Sequence, residues 1–107
     1  MHEFRLIESG TRVLVTKYRI GQYDFGDLKR PRAIEDSIFQ EIDIQSNAII
    51  YEWHSVDHIQ PGNISRFKPD ITGVTPSNDY FHINSVDKNA DGDYLVSSRH
   101  TSSIYKI

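Results

Sequence analysis

The chain has 107 residues, of which 37% are hydrophobic and 25% charged, with a formal net charge of −3; this suits one domain near the small end of what can build a core. One Trp, six Tyr and five Phe supply enough apolar surface to exclude a disordered chain. The acidic balance, with a pI near 5.9, argues against nucleic acid or an anionic membrane as a partner held by bulk charge, and no stretch approaches the roughly 20 apolar residues of a membrane-spanning helix.

Strand-like runs follow one another along the chain. His2–Ile7 and Thr11–Tyr18 cluster apolar residues around a turn ending in Gly10, and Ile38–Ile44 and Ala48–Trp53 flank the hairpin signal Gln45-Ser46-Asn47. One helical turn is expected around Ser55–His58. His82–Val86 and Tyr94–Arg99 follow, joined by the turn at Asn89–Gly92, and Ser103–Ile107 closes the series. No segment keeps a helical period, so the predicted class is all-β. Ile20–Ser37, with the basic stretch Lys29–Arg32, and the Pro- and Gly-containing Gln60–Asn78 read as two long loops by composition.

The two halves repeat. His2–Ile7, a Gly-ended turn and Val13–Lys17 run in parallel with His82–Asp87, a Gly-ended turn and Leu95–Arg99. A third strand follows in each half, and Ile49–Trp53 adds a fourth to the first. Repeated four-stranded units are the sequence mark of β-propeller blades. The expected organisation is a blade over 1–54, a loop over 55–78 and an incomplete blade over 79–107: a fragment of a propeller of about two blades, with uncovered strand edges open to self-association.

Several polar groups could carry chemistry. If His82 opens the innermost strand of a blade, Asn84 shares its face two residues on, and Arg99 approaches from the end of the next strand. Arg offers a planar fork of donors, Asn a neutral donor, and His a nucleophile or proton donor near neutral pH, a set suited to sulfate or phosphate. The same residues can instead satisfy backbone groups in a crowded interior. His100 should face away from Arg99 and reads as a hydrogen-bonding residue. Ser97 and Ser98 lack a Gly-x-Ser-x-Gly elbow, which argues against a serine hydrolase.

Asp87, Asn89, Asp91 and Asp93 imitate the start of a calcium loop, but an EF-hand needs Glu where Ser98 stands, and a polar hairpin turn is favoured. His54 and His58 have a spacing that a helix could use for a metal, but rim or surface histidines are favoured, and Trp53 reads as a core aromatic. No metal site and no cofactor are assigned. There is no cysteine. Met1–Glu8 carries no signal-peptide pattern, while the sequon Asn63-Ile64-Ser65 would suit a secreted parent protein.

At His2–Leu6, Phe39–Asp43, Tyr51–Trp53, Asp57–His58, Asp79–Lys88 and Ser98–Ser102 the chain resembles the arylsulfotransferase family, in particular its fungal-type branch. The likeness spans all but the two long loops, and its most specific elements are Phe81–Val86 and Ser98–His100. The resemblance implies a six-bladed β-propeller that moves a sulfuryl group from an aryl sulfate to a phenol through channel histidines, without an adenylated sulfate donor. His82 and Arg99 match a channel histidine and the channel arginine, His2 matches a further histidine, and Asn84 and His100 would help bind substrate. The histidine that accepts the sulfuryl group in the family lies in a later blade, so the implied activity of the 107-residue chain on its own is none.

Overall fold

Every second residue of Leu14, Thr16 and Tyr18 turns toward the interior, the alternation of a strand with one buried face. In the computed structural model, which describes residues 3–24, 32–60 and 79–107, this run belongs to a four-stranded antiparallel sheet ordered β1-β2-β3-β4. Its strands are β1 (Phe4–Ile7), β2 (Arg12–Tyr23), β3 (Arg32–Asp43) and β4 (Ile49–His54). A second antiparallel sheet is ordered β5-β6-β7, with β5 (Ile83–Lys88), β6 (Tyr94–Ser98) and β7 (Ser103–Lys106). The protein is all-β, as expected, and each sheet pairs strands in chain order, the connectivity of a propeller blade. The helical turn expected around Ser55–His58 is present as α1 (Ser55–His58).

One expected loop is largely strand. Composition reads Ile20–Ser37 as an excursion, yet β2 runs on to Tyr23 and β3 starts at Arg32, with Arg19 paired to Asp36, Ile20 to Glu35 and Gly21 to Ile34. Ladder hydrogen bonds and burial of Ile34 on the core face outweigh the local turn propensity of Gly21. The basic stretch 29–31, most of the second expected loop and the Asn63 sequon lie outside the described residues.

The two sheets share one core. Leu14, Ile34, Phe39 and Trp53 of the first pack with Tyr80, Phe81, Ile83, Val86, Tyr94 and Val96 around the second. Phe39 is the hub, its ring centroid 5.7 Å from Trp53 and 5.0 Å from Tyr94, and Trp53 lies 5.6 Å from Phe81. Such aromatic pairs add about 0.5–1.5 kcal/mol each beyond area burial.

Polar ties cross the same boundary. Glu41 on β3, wholly buried, accepts from Lys88 at 3.1 Å and from the Tyr94 hydroxyl, both in the second sheet, and from Arg12 on β2 at 2.9 Å. Arg5 meets Asp87 at 3.0 Å. The Ile83 amide donates to the Ser37 hydroxyl at 3.2 Å, and the Ser37 amide donates to Ser55 at 3.0 Å. These bonds hold the start of β5 against β3 and α1, and so fix the segment just ahead of β5, which carries the site.

Candidate functional site: a carboxylate between two histidines

Asp79, Tyr80 and Phe81 lead into β5 with both aromatic rings buried, so the chain is anchored on either side of His82. His82 itself has φ +55, in the left-handed region. For a non-glycine residue that costs about 1–2 kcal/mol, and such strain persists only where the surroundings over-determine it. Here the turn after β6 does so: the Arg99 amide donates to the His82 carbonyl at 3.0 Å, the His100 amide to the Phe81 carbonyl at 3.2 Å, and the Ser98 hydroxyl to the same Phe81 carbonyl.

The side chains gather on Asp79. Its carboxylate hydrogen-bonds His82 Nδ1. Its main-chain carbonyl meets His100 Nδ1 at 2.5 Å, and its Oδ2 lies 3.8 Å from the same nitrogen. The two imidazole rings sit 4.9 Å apart, inclined by 45°. Tyr18 comes from β2 of the other sheet, its ring 6.1 Å from His82 and its hydroxyl donating to the Ile83 carbonyl at 2.6 Å. Burial, with the negative charge of Asp79 and Glu35, pushes the Tyr18 hydroxyl well above its ordinary 10, which keeps it a neutral donor. Asp79, His82 and His100 stay about a quarter exposed, so the cluster opens to solvent.

The structure brings together only some of the residues singled out in the sequence. His82 does not open a strand; β5 begins one residue later. Its left-handed backbone and a register irregularity between Ile83 and Ser85 break the alternation that was to place Asn84 on the same face, and Asn84 is exposed beside that irregularity. Arg99 adjoins His82 through its main chain while the residue itself is exposed. His100 does not turn away. β6 ends at Ser98, so strand alternation no longer governs the residues after it, and the turn folds His100 back beside His82. His2 lies outside the described residues.

Asp79 and Tyr18 carry no role in the sequence reading. Asp79 could have been found from its position three residues ahead of His82, at the head of the matched stretch Asp79–Lys88. Tyr18 could not, since only the packing of one sheet on the other brings it near.

The remaining candidates are structural. Asn89 Oδ1 accepts from the amides of Asp91 and Asp93 at 3.0 and 2.9 Å, a polar hairpin turn as favoured. His54 is no surface residue: Nδ1 meets buried Asp36 at 2.6 Å and Nε2 meets Glu52 at 2.8 Å. His58 stacks on Trp53 at 5.4 Å and 4°. Ser97 hydrogen-bonds Ser85 at 2.7 Å.

Fold and site together define an all-β protein with an imidazole–carboxylate cluster where one sheet meets the other. Compared with known protein families, the chain matches the model described as Arylsulfotransferase (ASST) over residues 1–107, and it belongs to that family. No curated protein and no solved structure matches it.

Proposed function

We propose that the chain forms part of a sulfuryl-transfer site in a β-propeller of the fungal-type branch, where His82 and Arg99 meet the sulfuryl group as it passes from an aryl sulfate to a phenol. The observation that carries this reading is the fixed His82: a strained backbone, a ring tied to Asp79 and flanked by His100 and Tyr18, and the Arg99 main chain bonded to its carbonyl. In the transfer, the sulfur–oxygen bond to the donor aryl group breaks and one to the acceptor oxygen forms. The acceptor's phenolic proton ends on the departing phenolate, so the reaction is redox-neutral and balanced.

The sulfuryl group keeps its negative charge throughout and spreads it over its oxygens as it moves. Cationic and N–H donors set in advance around that position lower the barrier. Arg99 supplies a guanidinium fork, and Asp79 holds the His82 ring at one angle and offers it a counter-charge as it meets the electrophile. Asn84 and His100 line the approach, and His2 adds a further imidazole. Each sheet then acts as a blade, the first spanning 1–54 and the second 79–107, with 55–78 between them.

Transfer from nitrophenyl sulfate to phenol, followed as release of nitrophenolate by a propeller that carries this chain together with the later blades, tests the reading. His82→Ala and Arg99→Lys are each expected to slow transfer by about 10²–10³, the usual cost of one preset donor. Wild-type rates in both variants would refute the assignment.

A second reading, an interaction module, is favoured by apolar side chains left exposed on the outer strands. Phe4 and Leu6 on β1, Ile49 and Ile50 on β4 and Ile104 on β7 are each about half exposed or more. Such edges suit association with a further sheet or a second copy of the chain.

A further inference from the structure

Asp79 makes two different contacts with two different imidazoles. Its carboxylate meets His82 Nδ1, and its main-chain carbonyl meets His100 Nδ1. A carbonyl accepting from Nδ1–H fixes the His100 ring and its tautomer, with Nε2 as the electron-pair nitrogen, the pattern that orients histidines around metal ions. One ligand atom from each of the three residues lies within 4.8 Å of the other two. The other carboxylate oxygen, Oδ1, is buried with no hydrogen-bond partner among the described residues. A buried, unsatisfied carboxylate oxygen is costly, and a cation would satisfy it.

We propose that Asp79, His82 and His100 form a binding site for a divalent first-row transition metal. Two imidazoles and one carboxylate favour Zn(II), Co(II) or Ni(II) over calcium and magnesium, which prefer oxygen donors throughout. Three protein ligands leave further coordination positions to water or another ligand. The quarter exposure of all three side chains gives an ion a route in without unfolding. The left-handed His82 is part of the arrangement, because it turns the imidazole back over Asp79. The site stands independently of sulfuryl transfer. Where both hold, an ion on the His82 ring would withhold that ligating nitrogen from the sulfuryl group.

The test is calorimetric titration of the metal-free full chain with zinc chloride, paired with Co(II) and its visible d–d absorption. Saturable binding of one ion is expected, with cobalt bands typical of low coordination. Asp79→Asn and His100→Gln are each expected to weaken zinc binding by at least about 10-fold, the loss that follows removal of even a supporting partner. His58→Ala should leave it unchanged. Should His100→Gln lose its circular dichroism, the near-isosteric Asp79→Asn decides. Absence of saturable binding, undiminished binding in Asp79→Asn, or binding lost in His58→Ala would overturn the proposal. None of these readouts depends on transfer activity.

Discussion

Glu41 and His54 are the two residues on which the interior polar network turns. Burial pushes the Glu41 carboxyl up, but hydrogen bonds from Tyr94, Arg12 and Lys88 outweigh it, and its pKa lies below the ordinary 4.5. Removing one partner of a buried charge set typically costs about 3–5 kcal/mol. Glu41→Ala leaves Lys88 at the sheet boundary with only the exposed Glu8 carboxylate at 3.8 Å and is expected to lower stability by about that amount, read from the urea midpoint. A loss below about 1 kcal/mol would show that the network adds little beyond a surface pair.

His54 bridges Asp36 and Glu52 through both ring nitrogens, which requires both to carry protons. Burial opposes that charge, but the bonds to the two carboxylates prevail and raise its pKa above 6.5. In return, hydrogen bonds from His54 and then Gln40 lower Glu52 to about 2. The signs follow from linkage. Glu52 contributes stability that is present above 4.5 and lost as pH falls toward about 2. His54 contributes stability that is full below 6.5 and lost as pH rises through its raised value. Denaturation midpoints measured across pH should therefore fall on both flanks. Glu52→Gln is expected to flatten the acid flank and His54→Gln the alkaline one. Unchanged slopes in these variants would place the pH dependence elsewhere.

At the scale of elements, the strands rich in Val and Ile, the hairpin turns and the single turn of α1 were legible because their signals are local: alternation, Gly-ended turns and a break after Trp53. Gly92 shows the physics directly. It sits at φ +89 and closes the β5–β6 hairpin by donating to the Asn89 carbonyl at 3.1 Å. Gly92→Ala meets no steric obstacle, so its cost is the backbone's alone, about 1 kcal/mol, expected as a lower melting temperature with unchanged secondary structure. A neutral substitution would mean that the turn relaxes freely. The extent of β2 and β3 was not legible, because Gly21 carries a turn propensity that cross-strand pairing overrides. The orientations of Asn84 and His100 were misread for a related reason. Both rest on strict alternation, and alternation fails at an irregular register and past a strand's end.

For the whole molecule, the question is whether two sheets behave as one body. Trp53 is the sole tryptophan; it sits in the first sheet and packs on Phe81 ahead of the second. Its fluorescence therefore reports the boundary, while far-ultraviolet circular dichroism reports both sheets. The shared core and the Glu41 network lead to coincident transitions. Separate transitions would mean that the sheets unfold independently. The exposed apolar side chains of β1, β4 and β7 bear on the second functional reading at this scale. Ile104→Lys, at the most exposed of them (76%), is expected to reduce any concentration-dependent association seen by sedimentation, with the melting temperature little changed. Of the site, His82 and its neighbours Arg99 and His100 were legible as polar residues among strand formers. The carboxylate that joins them and the tyrosine from the opposite sheet depend on long-range packing that no linear spacing encodes.

The most direct test of the sulfuryl site is to titrate the folded chain with nitrophenyl sulfate and follow the ring resonances of its five histidines by nuclear magnetic resonance. The His82 and His100 signals are expected to move together and saturate, with Arg99→Ala weakening the response, while His54 and His58 stay in place. Stationary His82 and His100 signals at saturating ester, or a response confined to His58, would contradict the account.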